Sequence, residues 1–174
     1  MKLIKGVEKE PIPSMDFQPI SSENRAQVNR FIQAHWFSTD MVIRGEVVDM
    51  TRVEGFLLFD HAEIIGLVTY RIQNEECEIL SLDSLMENQG HGSALIVRVI
   101  HAAAAAGCQC VRLITTNDNI NALRFYQKRG FDMTRLFHNS IEVSRRIKPS
   151  IPETGDFGIP IRHEIEFVMN LQRK

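Results

Sequence analysis

The apolar pattern changes its period twice between residues 76 and 115, and this change constrains the fold more than any other feature of the chain. Residues 76–85 alternate as a strand does, residues 93–106 place apolar side chains at helical spacing, and residues 108–115 form a second compact β run. Gly107 lies where the helix should end. A helix that connects two strands of one sheet makes them parallel through a right-handed crossover. We therefore predict a parallel strand pair within an α/β domain.

The remaining segments predict antiparallel strands and further helices around this unit. The apolar runs 53–59 and 64–72 are separated by a polar turn and predict a hairpin whose second strand lies antiparallel to residues 76–85. We expect a single domain over residues 1–174, in which residues 1–14 can be a flexible N-terminus. The other predicted elements are a short strand over 16–20, helices over 23–35 and 121–129, strands over 131–137 and 161–171, a loop or irregular strand over 36–52, and an ordered loop over 139–160.

Composition and charge exclude several classes of function. The chain has 174 residues, of which 44% are hydrophobic and 24% charged, as is typical of globular proteins. Its 20 basic and 22 acidic side chains leave a formal net charge of -2, so we expect neither nucleic acid nor a membrane as a partner. Residues 1–13 do not have the pattern of a signal peptide. The three cysteines lack the spacing of a disulfide framework or a zinc site, so we expect a cytoplasmic protein without a metal.

Two glycines follow the predicted strand 76–85, just before the crossover helix begins. Gly90 and Gly92 lack a Cβ, so a ligand can approach the backbone where the first N–H groups of the helix have no partner. These groups and the positive end of the helix dipole favour an anion, most naturally a phosphate. No Gly-Lys-Ser or Gly-Lys-Thr of a P-loop follows, and Leu95 stands where a dinucleotide fingerprint has its third glycine. A tight turn without a ligand is the structural alternative.

A second informative segment contains Asn119, Ala122 and Tyr126, whose spacing places them on one face if the segment is helical. A small residue between an amide and a phenol leaves room for a slender ligand. This segment ends in Gly-Phe at 130–131. Together with the glycine loop over 87–92, it resembles the GNAT superfamily of acyl-CoA-dependent N-acetyltransferases. The family has a Q/R-x-x-G-x-G/A loop and an N-x-x-A-x-x-x-Y helix at the corresponding places.

The resemblance implies a fold and a co-substrate. The fold is an α/β GNAT fold with a mixed, mostly antiparallel central sheet, a splayed parallel strand pair and flanking helices. The co-substrate is acetyl-CoA, with its pyrophosphate on the glycine loop. One departure concerns Glu87, which stands where the family favours Gln or Arg and places a carboxylate near the diphosphate. The residues implied to contact acetyl-CoA are Leu82, Asp83, Ser84, Asn88, Gln89, Gly90, His91, Gly92, Ser93, Asn119, Ala122 and Tyr126.

The resemblance also implies acetyl transfer to a primary amine by direct attack, without a covalent enzyme intermediate. Tyr126 corresponds to the family's usual proton donor to the departing thiolate. Acyl transfer to an amine further requires a base. Glu76 and Glu78 are both candidates, because strand alternation places them on one face together with Leu80 and Leu82.

The acceptor is expected to meet a wall formed by Trp36, Arg44 and Tyr70, and the sequence does not say whether it is a small molecule or a peptide. A non-catalytic acyl-CoA-binding sensor or assembly module with the same fold is the alternative to an enzyme. The presence of both Asn119 and Tyr126 favours the enzyme. A general nucleotide-phosphate binder would need the glycine loop without the second helix. The sequence leaves open whether the protein forms a homodimer.

Overall fold

A computed structural model describes residues 16–86 and 89–171 of the chain. The prediction for residues 1–14 therefore lies outside the described residues. Within the described ranges, no helix has the length and apolar character needed to cross a membrane. The helices are α1 (Arg25–Trp36), α2 (His91–Ala105), α3 (Ile120–Gln127) and α4 (Ile141–Ile147). The strands are β1 (Asp16–Pro19), β2 (Asp40–Ile43), β3 (Glu46–Asp49), β4 (Glu54–Asp60), β5 (Glu63–Gln73), β6 (Glu76–Ser84), β7 (Cys110–Thr116), β8 (Asp132–Phe137) and β9 (Glu164–Asn170).

Seven of these strands form one sheet in the order β1-β4-β5-β6-β7-β9-β8, and β2 and β3 form a separate two-stranded hairpin. β6 and β7 are parallel, and they are joined by the crossover helix α2. The other neighbouring pairs described in this sheet are antiparallel. The predicted mixed sheet, mostly antiparallel with one parallel pair and flanking helices, is confirmed.

Apolar side chains on the two faces of the sheet form two cores. α2 buries Leu95 and Val99 in one core, to which α3 contributes Tyr126. α1 buries Val28 and Ile32 in the other core, together with apolar residues of the β2–β3 hairpin. Neighbouring buried residues of β5 belong to different cores, so the cores lie on opposite faces. We call these faces the α2 face and the α1 face.

Residues 36–52 contain an antiparallel hairpin, where the sequence predicted a loop or an irregular strand. Ile43 of β2 pairs with Glu46 of β3, so Arg44 and Gly45 form a two-residue turn. Both turn residues have positive φ, 50° and 77°, as a type I′ hairpin turn requires. Arg-Gly is not a dipeptide typical of that turn, and the sequence therefore did not indicate the hairpin.

Residues 139–160 contain helix α4 and a short 3-10 turn at Asp156–Gly158, so the prediction of a loop throughout is wrong there. α4 has seven residues, buries Ile141 and Ser144, and contacts β2. A helix this short depends on packing more than on propensity, and its sequence pattern is correspondingly weak.

Candidate active site

β6 and β7 separate halfway along β6. Their parallel pairing covers Glu76–Ile79 of β6 and Cys110–Leu113 of β7. Beyond this point β7 continues to pair with β9 as far as Thr116. The backbone of Leu80–Ser84 has no ladder partner on the β7 side among the described residues. The two strands thus enclose a gap that is open at the carboxyl end of the sheet.

A β-bulge in β6 begins at the same point. Two adjacent residues of β5 pair with Ile79 and Ser81, which leaves Leu80 as an extra residue on β6. A bulge bends its strand and interrupts the alternation of side chains. Leu80 accordingly packs in the core of the α1 face, whereas Leu82 packs against the core of the α2 face. The expectation that Leu82 shares a face with Leu80 and the two candidate glutamates is therefore wrong.

A cavity of about 810 Å³ occupies the gap, which is a volume typical of small-molecule sites. Its walls are the ends of β6 and β7, the start of α2 and one side of α3. Trp36, at the end of α1, also lines the cavity, so the cavity extends from the α2 face to the α1 face of the sheet. The residues predicted from the sequence that line it are Trp36, Leu82, Ser84, Gly90, His91, Gly92, Ser93, Asn119, Ala122 and Tyr126.

The remaining residues predicted to contact acetyl-CoA lie at the margin of the cavity or beyond the described ranges. Asp83 lies between two residues that line the cavity and contacts Trp36. Gln89 is exposed in the loop before α2. Asn88 lies outside the described residues, as does Glu87.

The N-terminal end of α2 faces the cavity. Gly90 precedes the helix with a φ of 83°, and His91 and Gly92 begin it. A Cβ on Gly92 would lie 3.3 Å from the ring of Phe125, so the close approach of α3 favours a glycine there. Nδ1 of the buried His91 has no hydrogen-bond partner among the described residues. The free N–H groups of the first turn and the helix dipole make this end of α2 suited to an anion.

Three basic side chains add a cationic wall that the sequence reasoning missed. Arg124, Lys128 and Arg129 lie on α3 or just after it and line the cavity. The guanidinium group of Arg129 stacks on the ring of Phe125 at 3.4 Å and donates a hydrogen bond to Oγ of Ser93 at 3.0 Å. Arg129 thereby connects the end of α3 to the start of α2. The spacing of Arg124 and Lys128 on a predicted helix was the available signal for a shared face.

The residues of the N-x-x-A-x-x-x-Y pattern have two separate roles in the structure, one at each end of α3. Asn119 caps the helix, because its Oδ1 accepts a hydrogen bond from the backbone N–H of Ala122 at 3.0 Å. Tyr126 is buried edge-on against Phe131 and also lines the cavity. Burial, with a further contribution from the charge of Asp83, raises the pKa of Tyr126. Its phenol is therefore protonated at neutral pH.

Glu78 is buried on the α1 face and is only 3% exposed. Its carboxylate accepts hydrogen bonds from Arg71 at 2.8 Å and from Arg44 at 3.1 Å, and Arg112 lies 3.8 Å away. Because Arg44 belongs to the hairpin turn, these contacts fasten the hairpin to the sheet. Both carboxylate oxygens are thus held by guanidinium groups, an arrangement that favours a structural role.

Glu76 lies at the first residue of β6, and its side chain is 45% exposed. It forms an ion pair with Arg112 at 3.3 Å. It lies six positions before Leu82, which is roughly 20 Å of extended strand. Neither Glu76 nor Glu78 is among the residues that line the cavity.

Asp83 lies on the α1 face at the unpaired end of β6, opposite Leu67 of β5. Nε1–H of Trp36 donates to both of its carboxylate oxygens at 3.1 Å. Burial raises the pKa of Asp83, while the hydrogen bond from Trp36 and the charge of His35 act in the opposite direction. Among the described residues, no second donor contacts this carboxylate. Its remaining lone pairs are free for a ligand.

The structure does not bring Trp36, Arg44 and Tyr70 together. Trp36 lines the cavity, while Arg44 is held by Glu78. Tyr70 is buried in the core of the α2 face, where its ring stacks on that of Phe56. Burial raises the pKa of Tyr70 to about 12. Of the three residues, only Trp36 adjoins the gap.

Comparison with known proteins identifies the class to which this fold and cavity belong. A sequence model of the acetyltransferase (GNAT) family matches residues 20–131, which is more than half of the chain. The uncharacterized protein YxbD of Bacillus subtilis (strain 168) is 43% identical over 159 residues, which cover 91% of this chain and 100% of that protein. The chain therefore belongs to the acetyltransferase (GNAT) family.

Solved structures share the same fold. An IAA acetyltransferase from Bacillus cereus ATCC 14579 is 18% identical with a TM-score of 0.68, and the match covers 91% of this chain and 100% of that one. A GNAT family acetyltransferase from Elizabethkingia anophelis, solved with acetyl-CoA bound, is 22% identical with a TM-score of 0.65. That match covers 92% of this chain and 100% of the other. The predicted GNAT fold is confirmed.

Proposed function

We propose that this protein is an N-acetyltransferase, which moves the acetyl group of acetyl-CoA to a primary amine of a small-molecule or peptide acceptor. Family membership supports acetyl transfer. The acetyl-CoA bound to the similarly folded protein of E. anophelis supports the choice of co-substrate. The observation that carries the proposal is the gap between β6 and β7, where a free strand edge and a helix N-terminus face one cavity.

The cavity offers a binding mode for each part of acetyl-CoA. The pyrophosphate would accept hydrogen bonds from the backbone N–H groups after Gly90, at the positive end of α2. The basic side chains Arg124, Lys128 and Arg129 provide charge for the phosphates. The amides of the pantetheine arm would pair with the free edge of Leu80–Ser84, as a peptide adds to an open sheet edge. This arrangement directs the thioester toward the gap.

Direct attack needs three contributions from the protein: a base for the amine, a donor to the thioester oxygen and a donor to the departing sulfur. A backbone N–H near Leu82 at the unpaired end of β6 is suited to the thioester oxygen. Tyr126 is suited to the sulfur, because its side chain lines the cavity and its hydroxyl is protonated. Since its pKa is raised well above that of a thiol, about 8.5 in the reference state, the phenol stabilises the thiolate chiefly by donating a hydrogen bond.

The experiment that tests the proposal measures release of free CoA thiol from acetyl-CoA in a screen of amines, polyamines, amino acids and peptides with free N-termini. We expect acceptor-dependent thiol release, with a mass increase of the acceptor by one acetyl group. Saturable acetyl-CoA binding without transfer to any acceptor would instead favour the sensor or assembly module. Absence of acetyl-CoA binding would contradict both functions.

A further inference from the structure

The unpaired end of β6 carries a carboxylate that the donor site does not use. Asp83 accepts from one indole N–H, shared between its two oxygens, and no other donor reaches it among the described residues. By contrast, Glu78 on the same strand is held by guanidinium groups on both oxygens. Asp83 therefore has unused acceptor capacity at a position between Leu82 and Ser84, which both line the cavity.

The surroundings of Asp83 suit an alkylammonium group. Trp36 presents an indole ring at the cavity wall, is 37% exposed, and holds the carboxylate through Nε1–H. A cation beside a carboxylate and an aromatic face gains both an ion pair and a cation–π contact. Asp83 lies on the α1 face, whereas the anion-binding end of α2 belongs to the opposite side of the cavity. The two substrates would thus enter from opposite faces and meet in the gap.

We propose that Asp83 and Trp36 form the binding site for the acceptor's ammonium group, and that Asp83 is the base that deprotonates it. This inference rests on the proposed N-acetyltransferase function and replaces Glu76 and Glu78 as candidate bases. Trp36 is a positioning residue, because its N–H fixes the orientation of the carboxylate. The acceptor class is a primary amine that is positively charged in solution, as an alkylamine with a pKa near that of Lys, about 10.4, is at neutral pH.

The proton balance follows from these positions. The ammonium group gives one proton to the Asp83 carboxylate, and the free amine lone pair forms a C–N bond with the thioester carbon. The C–S bond breaks, and the sulfur leaves with the electron pair as a thiolate that accepts a hydrogen bond from the Tyr126 hydroxyl. The second proton lost by the nitrogen protonates this thiolate. Asp83 returns its proton to solvent, so one proton is released for each amide formed.

The groups that affect the ionisation of Asp83 come from two elements. His35 and Trp36 belong to α1, and Tyr126 belongs to α3. Burial favours the neutral carboxyl group, so Asp83 ionises above the ordinary range of an Asp. The base must be ionised to accept a proton, and kcat/KM for the amine should rise with pH as Asp83 ionises.

Trp36 provides a binding signal that does not require turnover, because it is the single tryptophan of the chain. We would saturate the protein with CoA and titrate it with n-butylamine or with n-butanol, which has a similar alkyl chain but no charge. The expected result is a saturable change in Trp36 fluorescence with n-butylamine. The apparent affinity for n-butanol should be at least about tenfold lower. The Asp83→Asn variant should lose this preference. Equal responses to the two probes, or an unchanged preference in Asp83→Asn, would overturn the ammonium site.

Steady-state kinetics with an amine that the protein acetylates test whether Asp83 is the base. Asp83→Asn should lower kcat/KM by on the order of 10²-fold, leave the Kd of acetyl-CoA within about twofold, and remove the acid limb of the pH profile. The matched control is Asp132→Asn, an exposed residue of the edge strand β8. Trp36→Phe keeps a ring but removes the N–H that lowers the pKa of Asp83, so the acid limb should move to higher pH. A merely structural role of Trp36 would not move this limb.

The outcomes separate this inference from the proposed function. Turnover with unchanged kcat/KM in Asp83→Asn would leave the N-acetyltransferase intact and overturn the role of Asp83. A charge-selective fluorescence response that depends on Asp83, without turnover of any amine, would support the ammonium site and contradict the enzyme. If Asp83→Asn does not fold, as judged by thermal unfolding, then Trp36→Phe decides through the pH profile, and an unmoved acid limb would contradict the proposal.

Discussion

Glu78 and Asp83 lie five residues apart on β6 and both side chains are on the α1 face, but their carboxylates have different surroundings. Glu78 belongs to the end of the strand that pairs with β7, and three arginines surround it. Asp83 belongs to the end that β7 leaves, and its described partner is one indole N–H.

The difference shows how one strand can hold one carboxylate in ion pairs and leave another with a single donor. Where β5, β6 and β7 run side by side, Arg71 and Arg112 on neighbouring strands reach Glu78. Where β6 is bulged and β7 diverges, no neighbouring side chain can take the same position, and a cavity opens instead. Strand pairing rather than residue type thus decides which carboxylate keeps unused acceptor capacity.

The largest expected effect concerns the paired end of the strand. Glu78→Ala should destabilise the protein by about 3 kcal/mol, because the partly buried Arg44 loses its ion pair and Arg71 keeps only its pair with Glu46. Urea unfolding measures this change. Glu76→Ala is the matched control on the same face, with a half-exposed ion pair that contributes about 1 kcal/mol or less. If Glu78→Ala costs no more than Glu76→Ala, the arginine cluster does not fasten the hairpin to the sheet.

The second largest effect is expected at the open end of β6, where Tyr126 of α3 lines the cavity. Tyr126→Phe keeps the packing of the ring and removes the hydroxyl, so kcat should fall by on the order of 10²-fold while the Kd of acetyl-CoA changes little. Steady-state kinetics and calorimetry measure the two quantities. The control is Tyr70→Phe, whose ring lies in the core outside the cavity, and kcat should stay within about twofold. An undiminished kcat in Tyr126→Phe under conditions where chemistry limits the rate would exclude its role at the sulfur.

The smallest effect should come from the exposed start of the strand. Glu76→Gln removes one charge from an ion pair that is accessible to solvent, so the free energy of unfolding should change by about 0.5 kcal/mol or less. Its kcat/KM should stay near that of the unaltered protein. A loss in kcat/KM comparable to that expected for Asp83→Asn would make Glu76 the base and reverse the contrast between the two ends of β6.

The sequence predicted those parts of the fold that depend on long local patterns. The alternation of 76–85, the helical spacing of 93–106 and the β run 108–115 sufficed for the parallel pair and its crossover. The β2–β3 hairpin could not be predicted because Arg44 and Gly45 make an atypical turn. α4 was missed because its seven residues are stabilised by packing.

The candidate site shows the same difference between local sequence patterns and contacts between distant residues. The glycine loop and the Asn119 to Tyr126 spacing are local patterns, and most of the residues they indicated line the cavity. The surroundings of the acidic residues depend on contacts between distant positions, such as Trp36 with Asp83 and Arg44 with Glu78. The bulge at Leu80 depends on the register between β5 and β6. None of these contacts has a signature in the sequence of a single strand.

Binding of acetyl-CoA is the direct test of a donor site at the open end of β6. Calorimetric titration should give saturable binding to the unaltered protein and a Kd at least about 100-fold weaker for Gly92→Val, because a branched side chain at Gly92 would meet the ring of Phe125 and fill the approach to α2. The control is Ala105→Val at the exposed far end of the same helix, which should bind as the unaltered protein does. Equal affinity of Gly92→Val and the unaltered protein would contradict the assignment of the donor site to this gap.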